Sequence, residues 1–292
     1  MPNSSAHLGA MIRRDIPPEQ ILGHARSLAP LLDELWVVED LPYAGGISQM
    51  TSILETTSNV IVGHGIAPAP FRTAAALAME WGTLERLYPG RVACGLGHGV
   101  QSWMAQLGER VDSPLTLIGE TCSVVRSLLA GEQVSTSGRY VTATDIQLEF
   151  PPLNPPVVSL GVVGPKSLEL AGEVADGTIL PEGHGPAEIR AAKDRICHGQ
   201  ERAGREGEPH RITVFAAFHV GPGDDIVRNP EAPVGFEAVD SEAAPVAEQL
   251  MTLFTAGADS VVLVPLTTDP IVALDRAAVD LVPLLRRRLA SG

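Results

Sequence analysis

Strand-like apolar runs and amphipathic helical stretches alternate along the whole of this 292-residue chain, and no other feature narrows the possible folds as much. His7–Ile12 is the first run, and Pro17-Pro18-Glu19 opens a helix with Ile21, Ala25, Leu28, Ala29 and Leu32 on one face. Proline's fixed φ suits a first helical turn. The second strand is expected at Leu35–Val38, with Gly45-Gly46 and a short helix through Ser58 after it. The third, Val60–Ile66, leads to a helix over Thr73–Tyr88 that places Leu77, Trp81, Leu84 and Tyr88 at helical spacing. The fourth, Arg91–Leu96, precedes a helix marked by Ile118, Cys122, Val125 and Leu129. Gly131–Pro156 then carries a Thr136-Ser137-Gly138-Arg139 turn between β-rich segments and reads as an inserted hairpin.

The alternation resumes with strand Val157–Val163 and helix Pro165–Ala175, then strand Gly177–Leu180 and helix Pro186–Gly204. Strand Ile212–Val220 is followed by a Gly/Pro-rich loop from Gly221 to Gly235 and a helix over Glu242–Ala256. The eighth strand is Ser260–Val264, and Asp269 caps one last helix that ends on Arg286, Arg287 and Arg288, where cations suit the dipole. Val60–Val62, Val157–Val163 and Val261–Val264 are apolar without interruption, as parallel strands covered on both faces are. Eight such units close naturally into a (β/α)8 TIM barrel, here a single domain over 1–292 with 131–156 inserted between strands 4 and 5. An open doubly wound sheet is the alternative, and it is disfavoured because the first βα turn lacks G-x-G-x-x-G.

Composition excludes several functions. Lys plus Arg number 21 against 35 Asp plus Glu, a net charge of −14, which is the wrong sign for neutralising nucleic-acid phosphates. Cys94, Cys122 and Cys197 lie far apart with no CxxC or His/Cys metal spacing, so neither a disulfide framework nor a metal site is expected. The start, Met1-Pro-Asn-Ser-Ser-Ala-His7, has no basic or apolar leader, and no apolar run reaches the ~20 residues of a membrane helix. A cytoplasmic protein is expected.

In such a barrel the chemistry sits on the loops after the strands. These are Arg13-Arg14, Glu39-Asp40, Gly63-His64-Gly65-Ile66, Gly97-His98-Gly99, Gly164-Pro165-Lys166-Ser167, Pro181-Glu182-Gly183-His184, His219-Val220-Gly221 and Pro265-Leu266. The third, fourth, fifth and sixth each carry glycine, which lets backbone approach a flat or phosphorylated ligand. Gly164-Pro165-Lys166-Ser167 opens a helix, so the N–H groups of Lys166, Ser167 and Leu168 make an anion site, aided by the Lys166 ammonium and the Ser167 hydroxyl. His98, between two glycines, suits proton transfer or a hydrogen bond to a ring edge. Of the adjacent Glu39 and Asp40, only one side chain can point into the mouth. Trp103 and Met104 suit either an apolar pocket wall or local packing.

These loops resemble those of the luciferase-like monooxygenase superfamily. The branch most similar uses 8-hydroxy-5-deazaflavin (coenzyme F420), as the methylenetetrahydromethanopterin reductases do. The likeness is strongest in Leu35-Trp-Val-Val-Glu-Asp40, Gly63-His-Gly-Ile-Ala-Pro68, Tyr88-Pro-Gly-Arg91, Gly95-Leu-Gly-His-Gly99, Gly164-Pro-Lys-Ser-Leu-Glu-Leu-Ala-Gly172, Ala175-Asp-Gly177 and Gly257-Ala-Asp-Ser-Val-Val-Leu263. It implies a hydride-transferring oxidoreductase binding F420, or FMN in the alternative of a two-component monooxygenase. A third alternative is a non-catalytic cofactor-binding paralogue. The ring would lie against a non-prolyl cis peptide at Gly65-Ile66 with Ala67 following, beside Gly97, His98 and Gly99. The phosphate would meet Gly164, Pro165, Lys166 and Ser167, helped by Glu182 and Gly183. Asp40 and His98 would serve catalysis. Tyr43, Gln101, Trp103 and Met104 would line the pocket of a small-molecule substrate, with the inserted hairpin over or beside it. A homodimer is implied. Two departures stand out: Leu41 replaces the histidine that follows the aspartate in many deazaflavin enzymes, and Val100 replaces the glutamate of the sugar-phosphate dehydrogenases.

Overall fold

The computed structural model describes residues 6–223, 226–228 and 234–291. The first five residues of the chain start read above lie outside it, as do parts of the Gly221–Gly235 loop and residue 292. The barrel strands are β1 (His7–Ile12), β2 (Glu34–Val37), β3 (Ile61–Pro68) and β4 (Val92–Gly97). An outlying pair, β5 (Val134–Ser137) and β6 (Thr142–Ile146), separates them from β7 (Val158–Gly161), β8 (Gly177–Leu180) and β9 (Arg211–Val220). A short β10 (Ala238–Asp240) precedes β11 (Ser260–Pro265). Hydrogen-bonded neighbours run β9-β11-β1-β2-β3-β4-β7-β8, and β8 pairs with β9, so eight parallel strands close into the expected barrel. That last pairing excludes the open sheet.

The helices are α1 (Pro18–Leu28), α2 (Gly46–Thr56), α3 (Ala74–Leu87), α4 (Gln101–Leu107), α5 (Pro114–Leu129), α6 (Pro165–Val174), α7 (Pro186–Ala203), α8 (Ala243–Ala256), α9 (Pro270–Asp280) and α10 (Val282–Ser291). A 3-10 turn, Ala69–Phe71, follows β3. The single last helix expected from the sequence is two, divided at Leu281. Pro283 lacks an N–H and restricts the residue before it, which interrupts the helical ladder there. Arg286 and Arg288 do more than suit a dipole: they pair with Asp33 (2.8 Å) and Glu248 (3.0 Å) and so fasten α10 to the barrel.

Apolar residues divide into two cores, one between strands and helices and one inside the barrel. The inner core holds Met11, Trp36, Ile179, Phe215, Val262 and Val264, with Ile66 packed on it from above. Trp36 and Phe215 meet edge to face at 5.6 Å. The lower end is closed by polar groups. Glu34, fully buried, takes hydrogen bonds from Trp36 Nε1 (2.7 Å) and Ser260 Oγ (2.7 Å), contacts His7 Nδ1 at 2.8 Å and pairs with Arg211. Burial alone would raise the Glu34 carboxyl's pKa; His7, Arg211, Trp36 and Ser260 together lower it.

An aspartate directly precedes β2, β8 and β11, and each accepts the N–H of a neighbouring strand. Asp33 takes that of Leu8 (2.8 Å), Asp176 that of Val158 (3.2 Å) and Asp259 that of Ile212 (2.8 Å). This explains the Ala175-Asp-Gly177 and Ala258-Asp-Ser260 patterns as strand-start devices rather than ligand contacts.

The inserted hairpin is present as the antiparallel β5–β6 pair. The resemblance implied a place over or beside the substrate cleft, and the hairpin's contacts are with a flanking helix. It leaves from the C-terminal end of α5 and its turn docks on that helix: Glu120 accepts the N–H groups of Arg139, Tyr140 and Val141 at 2.7, 2.8 and 2.9 Å. Tyr140 Oη accepts the Ser113 N–H at 2.9 Å. The hairpin therefore stands on the flank of the barrel, not across its mouth. After β9, β10 extends the sheet beside the overlong β9, and the described Phe236 and Ile226 bridge to Gly183 and Thr267.

Candidate active site at the barrel mouth

Consecutive residues at a strand end point in opposite directions, and the two arginines after β1 show it. Arg13 turns along the rim and donates to the carbonyls of Pro265 (2.9 Å) and Thr267 (2.7 Å), tying β1 to β11. Arg14 turns into the mouth, where Nη1 lies 2.9 Å from Asp40 Oδ2. Its guanidinium sits 5.3 Å from the Tyr43 ring centre and 5.8 Å from that of Trp103. One cation thus joins the segments after β1, β2 and β4. Sequence reasoning passed over Arg14 as a site residue, although the doubled arginine at a strand end was its signal.

The adjacent acids after β2 also diverge. Glu39, 5% exposed, faces the helix layer. Arg72 donates to it at 2.6 and 2.8 Å, the Gly46 N–H at 3.0 Å, and His64 Nε2 stands 3.5 Å away. Burial opposes its ionisation, but the His64 and Arg72 contacts and the Gly46 N–H outweigh it and bring the pKa down to about 2. Asp40 is the member that turns to Arg14 in the mouth.

β3 carries a cis peptide at Gly65-Ile66, and its pairing with β4 shifts register between His64 and Ala67. The Ile66 side chain lies where Gly97 and Gly161 lack side chains: a Cβ on Gly97 would stand 2.0 Å from Ile66 Cδ1, and one on Gly161 2.7 Å. The sequence suggested that such glycines leave backbone bare for a ligand. Here they seat Ile66, whose partly exposed side chain becomes the apolar surface of the mouth. Ala67 is fully buried in the outer core, so its side chain does not reach the mouth. Gly65 packs over Phe215 and Trp36.

After β4, His98 is exposed and its Nδ1 lies 2.7 Å from the Gly99 carbonyl, so Nδ1 is the protonated nitrogen and Nε2 faces outward. Gln101 donates to the carbonyls of His98 (3.2 Å) and Gly99 (3.3 Å), holding the loop rather than facing a pocket. Met104 is 1% exposed beneath Gly99, whose φ of 73° suits glycine. Of the four expected substrate-pocket residues, Tyr43 and Trp103 stand at the mouth, and Met104 packs the loop from below.

Gly164 is the N-cap of α6 and Pro165 its first residue. The Leu168 N–H is spent on the Gly164 carbonyl (2.9 Å), as is the Ser167 hydroxyl proton (2.9 Å), which corrects the expected donor set. The N–H groups of Lys166 and Ser167 and the exposed Lys166 ammonium remain at the open end of the helix. On the next strand, Gly183 has φ 87° and its carbonyl accepts the Phe236 N–H at 3.0 Å. Beside it the half-buried Glu182 carboxyl has its pKa raised, by burial first and then by the charge of Asp40, against the opposing effect of its own backbone N–H and of Arg14 and Arg13.

Among the described residues no group of three or more His, Cys, Asp or Glu side chains is arranged to hold a metal ion, and no helix is long and apolar enough to cross a membrane.

Comparison with known proteins places this site in context. A 5,10-methylenetetrahydromethanopterin reductase of Methanolobus tindarius is 30% identical over 209 residues, which cover 70% of this chain and 64% of that protein. An F420-dependent glucose-6-phosphate dehydrogenase of Microbacterium testaceum (strain StLB037) is 30% identical over 171 residues, covering 56% and 49% of the two chains. The chain thus spans less than two thirds of the length of these relatives. An F420-dependent secondary alcohol dehydrogenase in complex with an F420-acetone adduct superimposes with a TM-score of 0.84 at 18% identity, over 97% of this chain and 99% of the other. The family model for luciferase-like monooxygenases matches residues 3–253, and the chain belongs to that family.

Proposed function

We propose that this chain is a coenzyme F420-dependent oxidoreductase that exchanges a hydride with a small organic substrate. The observation that carries the reading is the pairing, in one mouth, of a flat apolar surface and an anion site. Ile66, seated on Gly97 and Gly161, supplies the surface. The open N-terminus of α6 with Lys166 supplies the second, since free N–H groups and the helix dipole favour a phosphate. A planar ring with a phosphate tail fits both. The names of relatives that share sequence with this chain add F420 to that chemistry.

The bound deazaflavin would supply a two-electron hydride acceptor or donor. The chain supplies position and environment. Ile66 would support the ring, Gly97 to Gly99 would flank it, and Asp40 and His98 Nε2 would meet its polar edge. Tyr43 and Trp103, stacked on Arg14, would wall the substrate side and hold the reacting atoms close while excluding water. Gly183 backbone would extend the phosphate site. A cytoplasmic homodimer is the setting inferred from the family resemblance, and light scattering of the purified protein reads the mass.

Titration of the purified protein with oxidised F420, followed by the cofactor's fluorescence, tests the reading. Saturation at about 1–10 μM, corresponding to ~7–8 kcal/mol, with FMN at least about tenfold weaker, is expected. Tighter binding of FMN, or no binding of F420, overturns it.

A further inference from the structure

We propose that Glu182 holds the exchangeable proton of this site and presents it to the substrate atom that changes protonation when hydride moves. This rests on the deazaflavin reading and adds the residue that the reading lacks, because Leu41 stands where a proton-active histidine is found in similar enzymes.

Topology provides the first argument. In the closed order β1-β2-β3-β4-β7-β8-β9-β11, β8 is the sixth strand and lies opposite β2. The Glu182 carboxyl nonetheless feels the charges of Asp40, after β2, and of Arg13 and Arg14, after β1. Groups on opposite sides of a barrel interact in this way when their side chains reach inward over its centre. Glu182 and Asp40 therefore face each other across the space in which a substrate must sit.

The loop that carries Glu182 is fixed on both sides. His184 Nδ1 donates to the Pro181 carbonyl at 2.9 Å, and Gly183 is bridged to Phe236.

The two carboxyls then differ in what holds them. Asp40 has Arg14 at 2.9 Å. Glu182 receives no hydrogen bond from another side chain among the described residues, and the two arginines it senses are engaged with Asp40, with Asp15 and with rim carbonyls. Burial and the facing carboxylate both favour its neutral form. A pair of acids pushed apart in this way divides the work: one stays charged and the other carries a proton. On the adjacent units, Lys166 stands in the first turn of α6 and His219 near the end of β9, where its Nε2 lies 2.9 Å from the Pro222 carbonyl. His98 is a weaker candidate because it is exposed and its Nδ1–H is spent on Gly99.

The bookkeeping closes. In reduction of a carbonyl, the bound reduced deazaflavin would give hydride to carbon and the Glu182 carboxyl its proton to oxygen; in the reverse direction the Glu182 carboxylate would take the carbinol proton as hydride returned to the ring. No further oxidant is needed.

The test compares wild type with Glu182→Gln and Glu182→Asp, using oxidised F420 as the probe. Infrared spectra of the F420-loaded protein near neutral pH should show a protonated carboxyl stretch that Glu182→Gln removes and Glu182→Asp shifts. F420 affinity of the wild type should weaken as pH rises, by up to about tenfold per pH unit, because ring binding buries the carboxyl further and favours its protonated form. Subtracting the Glu182→Gln profile removes the cofactor's own titration and isolates this component. Binding of F420 by all three proteins with the same pH profile and no lost carboxyl band overturns the proposal and leaves the deazaflavin reading standing. Failure of the wild type to bind F420 overturns both.

Discussion

Glu39 and Asp40 are neighbours in the chain with separate tasks, and the difference is a matter of direction. Glu39 joins the end of β2 to Arg72 and to the first turn of α2, and its carboxyl titrates near 2 against an ordinary 4.5. A depressed folded pKa stabilises the protein above the unfolded value, and that contribution is lost as pH falls from about 4.5 to about 2. Replacing Glu39 by Gln should therefore cost ~3 kcal/mol at pH 7 in urea unfolding, and the cost should shrink towards zero as pH approaches 2. Glu182 runs the other way. Its pKa is raised, so the folded form holds the proton more tightly and stability falls as pH rises past the unfolded value. Glu182→Gln should gain on the wild type as pH rises above the ordinary carboxyl range of about 4.3, and a difference that does not change with pH would contradict the assigned environment. The sequence made the divergence of Glu39 and Asp40 legible, since alternation at a strand end is local geometry. It did not show which acid faced inward, because Arg72 and His64 come from other units.

Among the elements, β3 and β4 show why glycine-rich loops are easy to misread. Their glycines were legible as places of close approach, but the approaching atom at Gly97 is Ile66 of the neighbouring strand. A Gly97→Ala substitution places a methyl 2.0 Å from Ile66 Cδ1 and should cost about 1–3 kcal/mol through overpacking. Adding Ile66→Ala should recover part of that loss, and a purely additive double mutant would contradict the contact. The inserted hairpin was found in the sequence from its turn residues, and resemblance left open whether it lay over or beside the substrate cleft. Its position depends on Glu120 and Ser113, which are unremarkable on an amphipathic helix until the hairpin's N–H groups meet them. Glu120→Ala should speed amide exchange at Arg139, Tyr140 and Val141 and leave F420 affinity within about twofold, because the hairpin stands away from the mouth. The break at Leu281 was readable in principle from Pro283, a residue that ends a helical ladder wherever it stands inside one.

The whole molecule is a barrel with a polar base and a charged mouth. Its eight units were legible because each carries its own period of apolar residues. Closure was not, because the β8–β9 pairing joins residues more than thirty positions apart and leaves no local trace. The same holds for the two ends. Glu34 and Arg211 pair at the base, and Glu182 feels the charge of Asp40 across the opening, and neither relation is visible along the chain. The central claim is that this opening holds a deazaflavin between Ile66 and the first turn of α6. The most direct measurement is a crystal structure of the protein with oxidised F420. The account predicts the ring against Ile66 and the cofactor's phosphate on the N–H groups of Lys166 and Ser167. A phosphate bound elsewhere, or a ring outside the mouth, would contradict it.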